Sequence, residues 1–202
     1  MPEVVLCESA AALGRVRAAG VSLALWSRPP RRALRAEAAA LLAHAPFSVT
    51  AEALPSCLGA RLAAALPGPA PALLADVAAL AASFAAMTGH QRIHARLEAL
   101  VDEGCPLFHA DHVGLRLLCT YAGPGTEWVP AAAVNRSGLG SGDNGLILRD
   151  RRQVRRLPAF TVGVFKGEAF PGHAGRGVVH RSAPATQRAP RLLLCLDEPG
   201  RF

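Results

Sequence analysis

His109 and Asp111 flank Ala110, and His180 lies well downstream, so one chain supplies two imidazoles and a carboxylate in the order His-x-Asp then His. In an extended strand residues two apart share a face, so His109 and Asp111 can offer an imidazole nitrogen and a carboxylate oxygen to one ion while Ala110 points away. A second histidine arriving from a neighbouring strand completes the 2-His-1-carboxylate set that holds non-haem Fe(II) and leaves coordination positions open. Neutral imidazole and ionised carboxylate suit Mn(II) or Zn(II) as well, so donor type alone leaves the metal undecided. A His-x-Asp pair is common by chance, and a single histidine is more often structural. The order of the three residues, their β-favouring surroundings and the glycine-rich approach at 172–177 together strengthen the metal reading.

Arg191 bears on what else such a site would take. It opens the apolar run Leu192 to Leu196, a strand that should be deeply buried. A guanidinium aimed inward there needs an anionic partner, and 2-oxoglutarate provides one: its keto-acid end can chelate a metal while its far carboxylate takes a bidentate fork from Arg191. The alternative puts Arg191 on the solvent side, beside Arg181 and Arg188.

Other constellations are weaker. Ser182 beside His180 does not make a nucleophile–base pair, because sequence neighbours rarely achieve that geometry. His90 and His94 read as exposed, and the glycine-rich stretch 137–145 lacks the Gly-Lys-Ser/Thr of a phosphate loop, leaving a surface loop or a lid. Arg149, Arg151, Arg152, Arg155 and Arg156 could grip phosphates, but no aromatics interleave them for base stacking, which favours a solvated edge over nucleic acid.

The elements that must position the site divide the chain. Residues 1–89 read as mainly helical: 9–19 ends at Gly20, 31–44 stops at Pro46, 50–66 is broken by Pro55, and 71–87 opens with a proline and ends before Gly89. From residue 90 the pattern turns to short β-favouring runs between Gly and Pro: 92–100, 115–121, 126–129, 145–148, 159–165, 177–180 and 191–196. At 202 residues and 51% hydrophobic, the chain predicts a single α+β domain, residues 1–202, with N-terminal helices packed on a C-terminal β-barrel core of jelly-roll or cupin type.

The formal net charge is +7, yet Lys166 is the only lysine, so the basic balance is an arginine bias and a weak pointer to polyanions. Five scattered cysteines without a Cys-x-x-Cys argue against a disulfide framework and a zinc ribbon. No basic n-region precedes an apolar stretch near the start, and the apolar segment 71–87 is short and interrupted by Asp76. The expectation is a cytoplasmic protein without membrane association.

Phe108-His109-Ala110-Asp111 with His180 and Arg191 resembles the motif set of the Fe(II)- and 2-oxoglutarate-dependent oxygenases, which use a double-stranded β-helix. The stretches 105–111, 116–128 and 177–182 resemble, more closely, a bacterial family known as domain of unknown function 1826. The resemblance covers most of the chain and is sharp from about residue 97 onward. It implies the fold, with His109, Asp111 and His180 as metal ligands, Arg191 as carboxylate clamp, and a dioxygenase that hydroxylates or otherwise oxidises a small-molecule or protein substrate. It also implies that Tyr121 hydrogen-bonds the cosubstrate, against its alternative as an amphipathic core residue, and that the turn 123–128 brings Glu127 and Trp128 to the barrel mouth as substrate contacts or folds them over the core. His173 stands where a small amide is expected. The competing expectations are a metal-binding barrel without oxygenase activity, tied to metal homeostasis and to metallochaperone-type GTPases, and an arginine-rich nucleic-acid or protein interaction module.

Overall fold

The computed structural model describes residues 3–29, 31–102 and 104–200. In chain order the elements are β1 (Val4–Cys7), β2 (Leu23–Trp26), α1 (Arg32–Leu42), β3 (Phe47–Ala53), α2 (Pro55–Ala63), α3 (Pro71–Thr88), β4 (Ile93–Leu100) and β5 (His109–Ala110). They continue with β6 (Leu115–Ala122), β7 (Glu127–Val129), α4 (Asn144–Ile147), β8 (Arg155–Arg156), β9 (Val162–Lys166), β10 (Val179–Arg181) and β11 (Arg191–Asp197). The class is α+β, built on a seven-stranded sheet in the order β1-β2-β9-β6-β11-β4-β3 and a four-stranded sheet in the order β5-β10-β7-β8.

From β4 to β11 the chain passes repeatedly between the two sheets, so that β6, β9 and β11 of the large sheet alternate in sequence with strands of the small one. Alternation along each strand then sorts side chains by face. On β6 and β11 the residues Leu115, Leu117, Cys119, Leu192, Leu194 and Leu196 join the main core beneath the helices. Leu118, Leu193 and Cys195 instead join Trp128, Phe165 and Val178 in a second core. A third cluster, with Phe108, Val129, Ile147 and Val179, packs on the other side of the small sheet. The strand β4 shows the sorting most plainly, with Ile93, Ala95, Leu97 and Ala99 fully buried and their neighbours half-buried.

Pro71 starts α3, and Gly89 ends it with φ +78°, its N–H donating to the Ala85 carbonyl, as a left-handed C-terminal cap requires. This helix is long and apolar enough to cross a bilayer by composition, but Leu73, Val77, Leu80 and Phe84 are buried in the core it shares with the large sheet. Each such side chain contributes about 1.5–3 kcal/mol by leaving water.

The first 89 residues carry α1, α2 and α3 and also hold β1, β2 and β3, with β1 parallel to β2 and β3 antiparallel to β4, so the large sheet recruits strands from this part at both edges. One expectation needs correction. Residues 145–148 are not a strand: Asp143 accepts the Gly145 N–H at 2.6 Å and caps the short helix α4. Asn144 at its start accepts from the Phe108 N–H (2.8 Å) and donates to the Pro106 carbonyl (3.0 Å). The glycine-rich stretch is thereby clasped to the segment that delivers His109.

Candidate metal centre

His109, Asp111 and His180 come together: one donor atom from each lies within 4.8 Å of the others. β5 and β10 are antiparallel neighbours with His109 directly opposite His180, so sheet register sets the two imidazoles side by side, ring centroids 4.7 Å apart. His109 Nδ1–H donates to the Leu107 carbonyl (2.9 Å) and His180 Nδ1–H to the Val178 carbonyl (3.1 Å). That tautomer turns both Nε2 lone pairs toward Asp111. His180 Nε2 lies 3.2 Å from Asp111 Oδ2, and His109 Nε2 lies 3.6 Å from Oδ1.

Asp111 Oδ2 is buried and takes no hydrogen bond among the described residues. A lone pair and a carboxylate oxygen facing each other at 3.2 Å repel unless a cation or a proton sits between them, so the donor set fits a divalent metal. Burial alone would raise the Asp111 carboxyl. The charge that His180 carries when protonated, the approach of both imidazoles and the Arg116 guanidinium outweigh it and hold the group well below the ordinary carboxylate range. The Asp111 carboxylate in turn keeps His109 above its ordinary value against the opposing effect of burial.

Arg191 faces the same cavity. His109, Arg116, His180, Arg191 and Leu193 are among the side chains lining a space of about 380 Å³, its open mouth included. The Arg191 side is inward, not solvent: the residue is 1% exposed. Its Nη2 donates to Thr126 Oγ1 (2.5 Å) and Thr120 Oγ1 (3.3 Å), while Nε and Nη1 are buried and have no partner among the described residues. Burial pulls the guanidinium down to about 10, so it is still a cation at neutral pH. A buried charge with no carboxylate on it costs several kcal/mol by order of magnitude, about 3–5 when a partner has been removed, and an anion supplied from solution offsets that cost. Gly123 and Gly125 make this geometry possible: a side chain at either would strike the backbone carbonyl of Pro190 or Leu157, so only glycine lets the turn carry Thr126 beneath Arg191.

Tyr121 is not among the residues lining this cavity: of its two expected places it takes that of an amphipathic core residue, not that of a cosubstrate contact. The register between β6 and β11 shifts between Leu192 and Leu193, leaving Tyr121 as the extra residue of a bulge on the helix-facing side. There its hydroxyl donates to Asp76 Oδ2 of α3 at 2.6 Å. Glu127 is buried and paired with Arg156 (2.6 Å) and Arg181 (2.8 Å). Trp128 is buried between the sheets with Arg155 over its ring at 5.2 Å. Both therefore fold over the core and are not among the residues lining the cavity. His173 is buried edge-on against Phe170 and lies outside the ligand cluster. The arginines at 149, 151, 152, 155 and 156 are all exposed, the last two on β8 at the edge of the small sheet.

Sequence reasoning passes over Arg116, Thr120 and Thr126. The signal for the first two is parity: positions 116, 118 and 120 share one face of β6, the face opposite Leu117 and Cys119. Thr126 carries no signal, because a turn of two glycines and a proline, not a periodic strand, delivers it.

The chain belongs to the family described as protein of unknown function (DUF1826), which it matches over residues 7–197. No curated protein matches it. Among solved structures it is similar to a bsmA homolog from Methylobium petroleophilum PM1, with 15% identity, 98% of this chain and 95% of that chain covered, and a TM-score of 0.49. It is also similar to a putative oxygenase from Shewanella oneidensis, with 10% identity, 96% and 88% covered, and a TM-score of 0.46. A full-length Neurospora crassa protein in complex with alpha-KG matches with 14% identity, 96% and 82% covered, and a TM-score of 0.43.

Proposed function

We propose that the protein is an Fe(II)- and 2-oxoglutarate-dependent oxygenase with a double-stranded β-helix core. The observation that carries the reading is a fully buried arginine, Arg191, with two unpartnered nitrogens on the same cavity as a converging His-Asp-His set. The passage of β4 to β11 back and forth between two sheets supports the β-helix, with His109 and His180 on paired strands of one sheet and Arg191 on the other.

In this reading His109, Asp111 and His180 hold the metal through Nε2, one carboxylate oxygen and Nε2. Arg191 takes the distal carboxylate of 2-oxoglutarate with its free Nε and Nη1 edge, and Thr126 and Thr120 keep the guanidinium from turning. Leu118 and Leu193 make that part of the wall apolar and limit water, which strengthens the ionic contact. When bound, the metal would bring O2, the oxidant, together with 2-oxoglutarate, whose conversion to succinate and CO2 would supply two of the four electrons that O2 takes up, the other two coming from the substrate that is hydroxylated or otherwise oxidised. Mn(II) or Zn(II) also suits the donor set, and a metal-binding barrel that uses no cosubstrate is the second reading.

Anaerobic reconstitution with Fe(II) followed by 2-oxoglutarate separates the two. The oxygenase reading expects a visible metal-to-ligand charge-transfer band. It also expects Arg191→Ala to weaken 2-oxoglutarate binding by at least about 30-fold, since truncating one side of a buried ion pair costs about 2 kcal/mol or more. Fe(II) uptake with no band and no 2-oxoglutarate binding would leave only the metal-binding barrel.

A further inference from the structure

We infer that Arg116 is a positioning residue that sets how Asp111 meets the metal: it occupies Oδ1 and leaves Oδ2 as the single oxygen open to an ion. This inference rests on the metal reading of His109, Asp111 and His180.

The guanidinium of Arg116 is committed on all three nitrogens. Nε and Nη2 form a side-on fork with Asp197, at 2.7 Å to Oδ1 and 2.9 Å to Oδ2. Nη1 reaches Asp111 Oδ1 at 2.8 Å. Asp197 is 1% exposed and ends β11 directly opposite Arg116 on β6, so the register of the large sheet fixes the fork. Arg116 is thus a strut running from that sheet to a ligand on the small-sheet side of the cavity. The backbone around Asp111 is tied down too, its carbonyl accepting from the Glu168 N–H at 2.8 Å.

A carboxylate free of such a strut has two equivalent oxygens and a soft torsion. It can chelate an ion with both oxygens, filling a coordination position that a cosubstrate needs, or swing away. With Oδ1 held by Arg116 both are disfavoured, while Oδ2 stays buried, without a hydrogen bond among the described residues and 3.2 Å from His180 Nε2. Groups that orient a metal ligand in this way typically change metal affinity by about 10–100-fold when removed.

The test is Co(II) titration of the purified protein followed by visible absorption, with thermal unfolding of each metal-free protein alongside. Arg116→Gln is expected to weaken Co(II) binding by about 10–100-fold and to change the spectrum of the bound ion, reporting altered coordination. Arg116→Lys, which restores the charge but only one of the two contacts, should recover part of the affinity. Asp197→Asn should move affinity and spectrum in the same direction by less, and adding it to Arg116→Gln should change little further, because both act through one strut. A folded Arg116→Gln protein with wild-type affinity and spectrum overturns the inference, as does weakened binding with an unchanged spectrum that lysine does not rescue. Should Arg116→Gln not fold, Asp197→Asn decides on the same two readouts. A wild-type protein that takes up no Co(II) overturns the metal reading as well; one that binds while Arg116→Gln binds equally overturns the strut alone.

Discussion

The large sheet buries an arginine against each of its faces, Arg28 under the helices and Arg191 in the cavity. Arg28 is 11% exposed and forks onto Asp76 at 2.5 and 2.6 Å, its Nε donates to the Phe160 carbonyl (3.2 Å), and the Tyr121 hydroxyl completes the cluster on Asp76. Arg191, buried more deeply, has two threonine hydroxyls and no carboxylate contact among the described residues. The titration behaviour divides the same way. Burial works against the charge on both, but Asp76 reverses its effect and holds Arg28 above the usual arginine range, whereas Arg191 is left lowered to about 10. One charge is completed within the chain and can serve the fold; the other has no carboxylate among the described residues and, in the proposed reading, is completed by a bound anion.

Removing the carboxylate under the helices should have the largest effect. Asp76→Ala strands Arg28 in an apolar core and frees the Tyr121 hydroxyl, and is expected to lower unfolding free energy by about 3–5 kcal/mol in a denaturant titration. A loss below about 1 kcal/mol would show that water reaches Arg28 and that its ion pair is not what holds α3 to the sheet. On the cavity face the counterpart is addition. A dicarboxylate that binds the metal-loaded protein at about 100 times its Kd should stabilise it by about 2.7 kcal/mol, and Arg191→Ala, binding at least about 30-fold more weakly, should cut that gain to about 0.9 kcal/mol or less in a thermal shift assay. An undiminished shift in the variant would place the anion elsewhere.

The two faces are not equally legible in the sequence. His109, Asp111 and His180 announce themselves by residue type and by the two-residue period, and Arg191 by its place at the head of an apolar run. The helix-face cluster is harder to see: Asp76 inside the alanine- and leucine-rich α3 stands out as an interruption of an apolar segment, but its partners come from Arg28 and Tyr121, distant in sequence. The face that Tyr121 takes is not legible, because β6 is apolar on both sides around Leu117, Leu118 and Cys119, which conceals the alternation, and because a bulge is invisible without the partner strand. The strands β1, β2 and β3 escape a sequence reading for a related reason. They are short stretches in an alanine- and arginine-rich background whose strand character comes from pairing with β9 and β4, a tertiary effect that outweighs local propensity.

A smaller effect should come from Cys119, which lies 3.6 Å from Arg28 on the helix face. Burial raises its thiol from 9.0 to about 11, opposed by Arg28. A raised folded value means that the folded state keeps the proton while the unfolded state has begun to lose it. The thiol's contribution is therefore fully present below pH 9 and is lost as pH rises through about 11. The loss is on the order of 2–3 kcal/mol, at about 1.4 kcal/mol for each tenfold difference in acidity between the two states. Cys119→Ala should flatten this alkaline limb in unfolding titrations taken between those pH values, with the raised Tyr121 hydroxyl accounting for what remains. An unchanged limb would mean that the thiol is not isolated from solvent.

The smallest expected change discriminates most sharply between the faces. Replacing a buried ion by an apolar side chain of similar length is costly where the partner carboxylate stays behind, and neutral or stabilising where no carboxylate was ever engaged. Arg28→Met should therefore destabilise the protein, leaving Asp76 at 4% exposure with the Tyr121 hydroxyl and, at 4.0 Å, the exposed Arg31 as its polar neighbours among the described residues' hydrogen bonds and ion pairs. Arg191→Met, in protein free of metal and dicarboxylate, should leave the unfolding free energy within about 1 kcal/mol of wild type or raise it, because it removes a desolvated charge and leaves two threonines able to hydrogen-bond each other or water. The same substitution should remove 2-oxoglutarate binding. Destabilisation of the Arg191→Met protein comparable to that of Arg28→Met would mean that the cavity arginine is as structural as its counterpart, and the distinction between the two faces would fail.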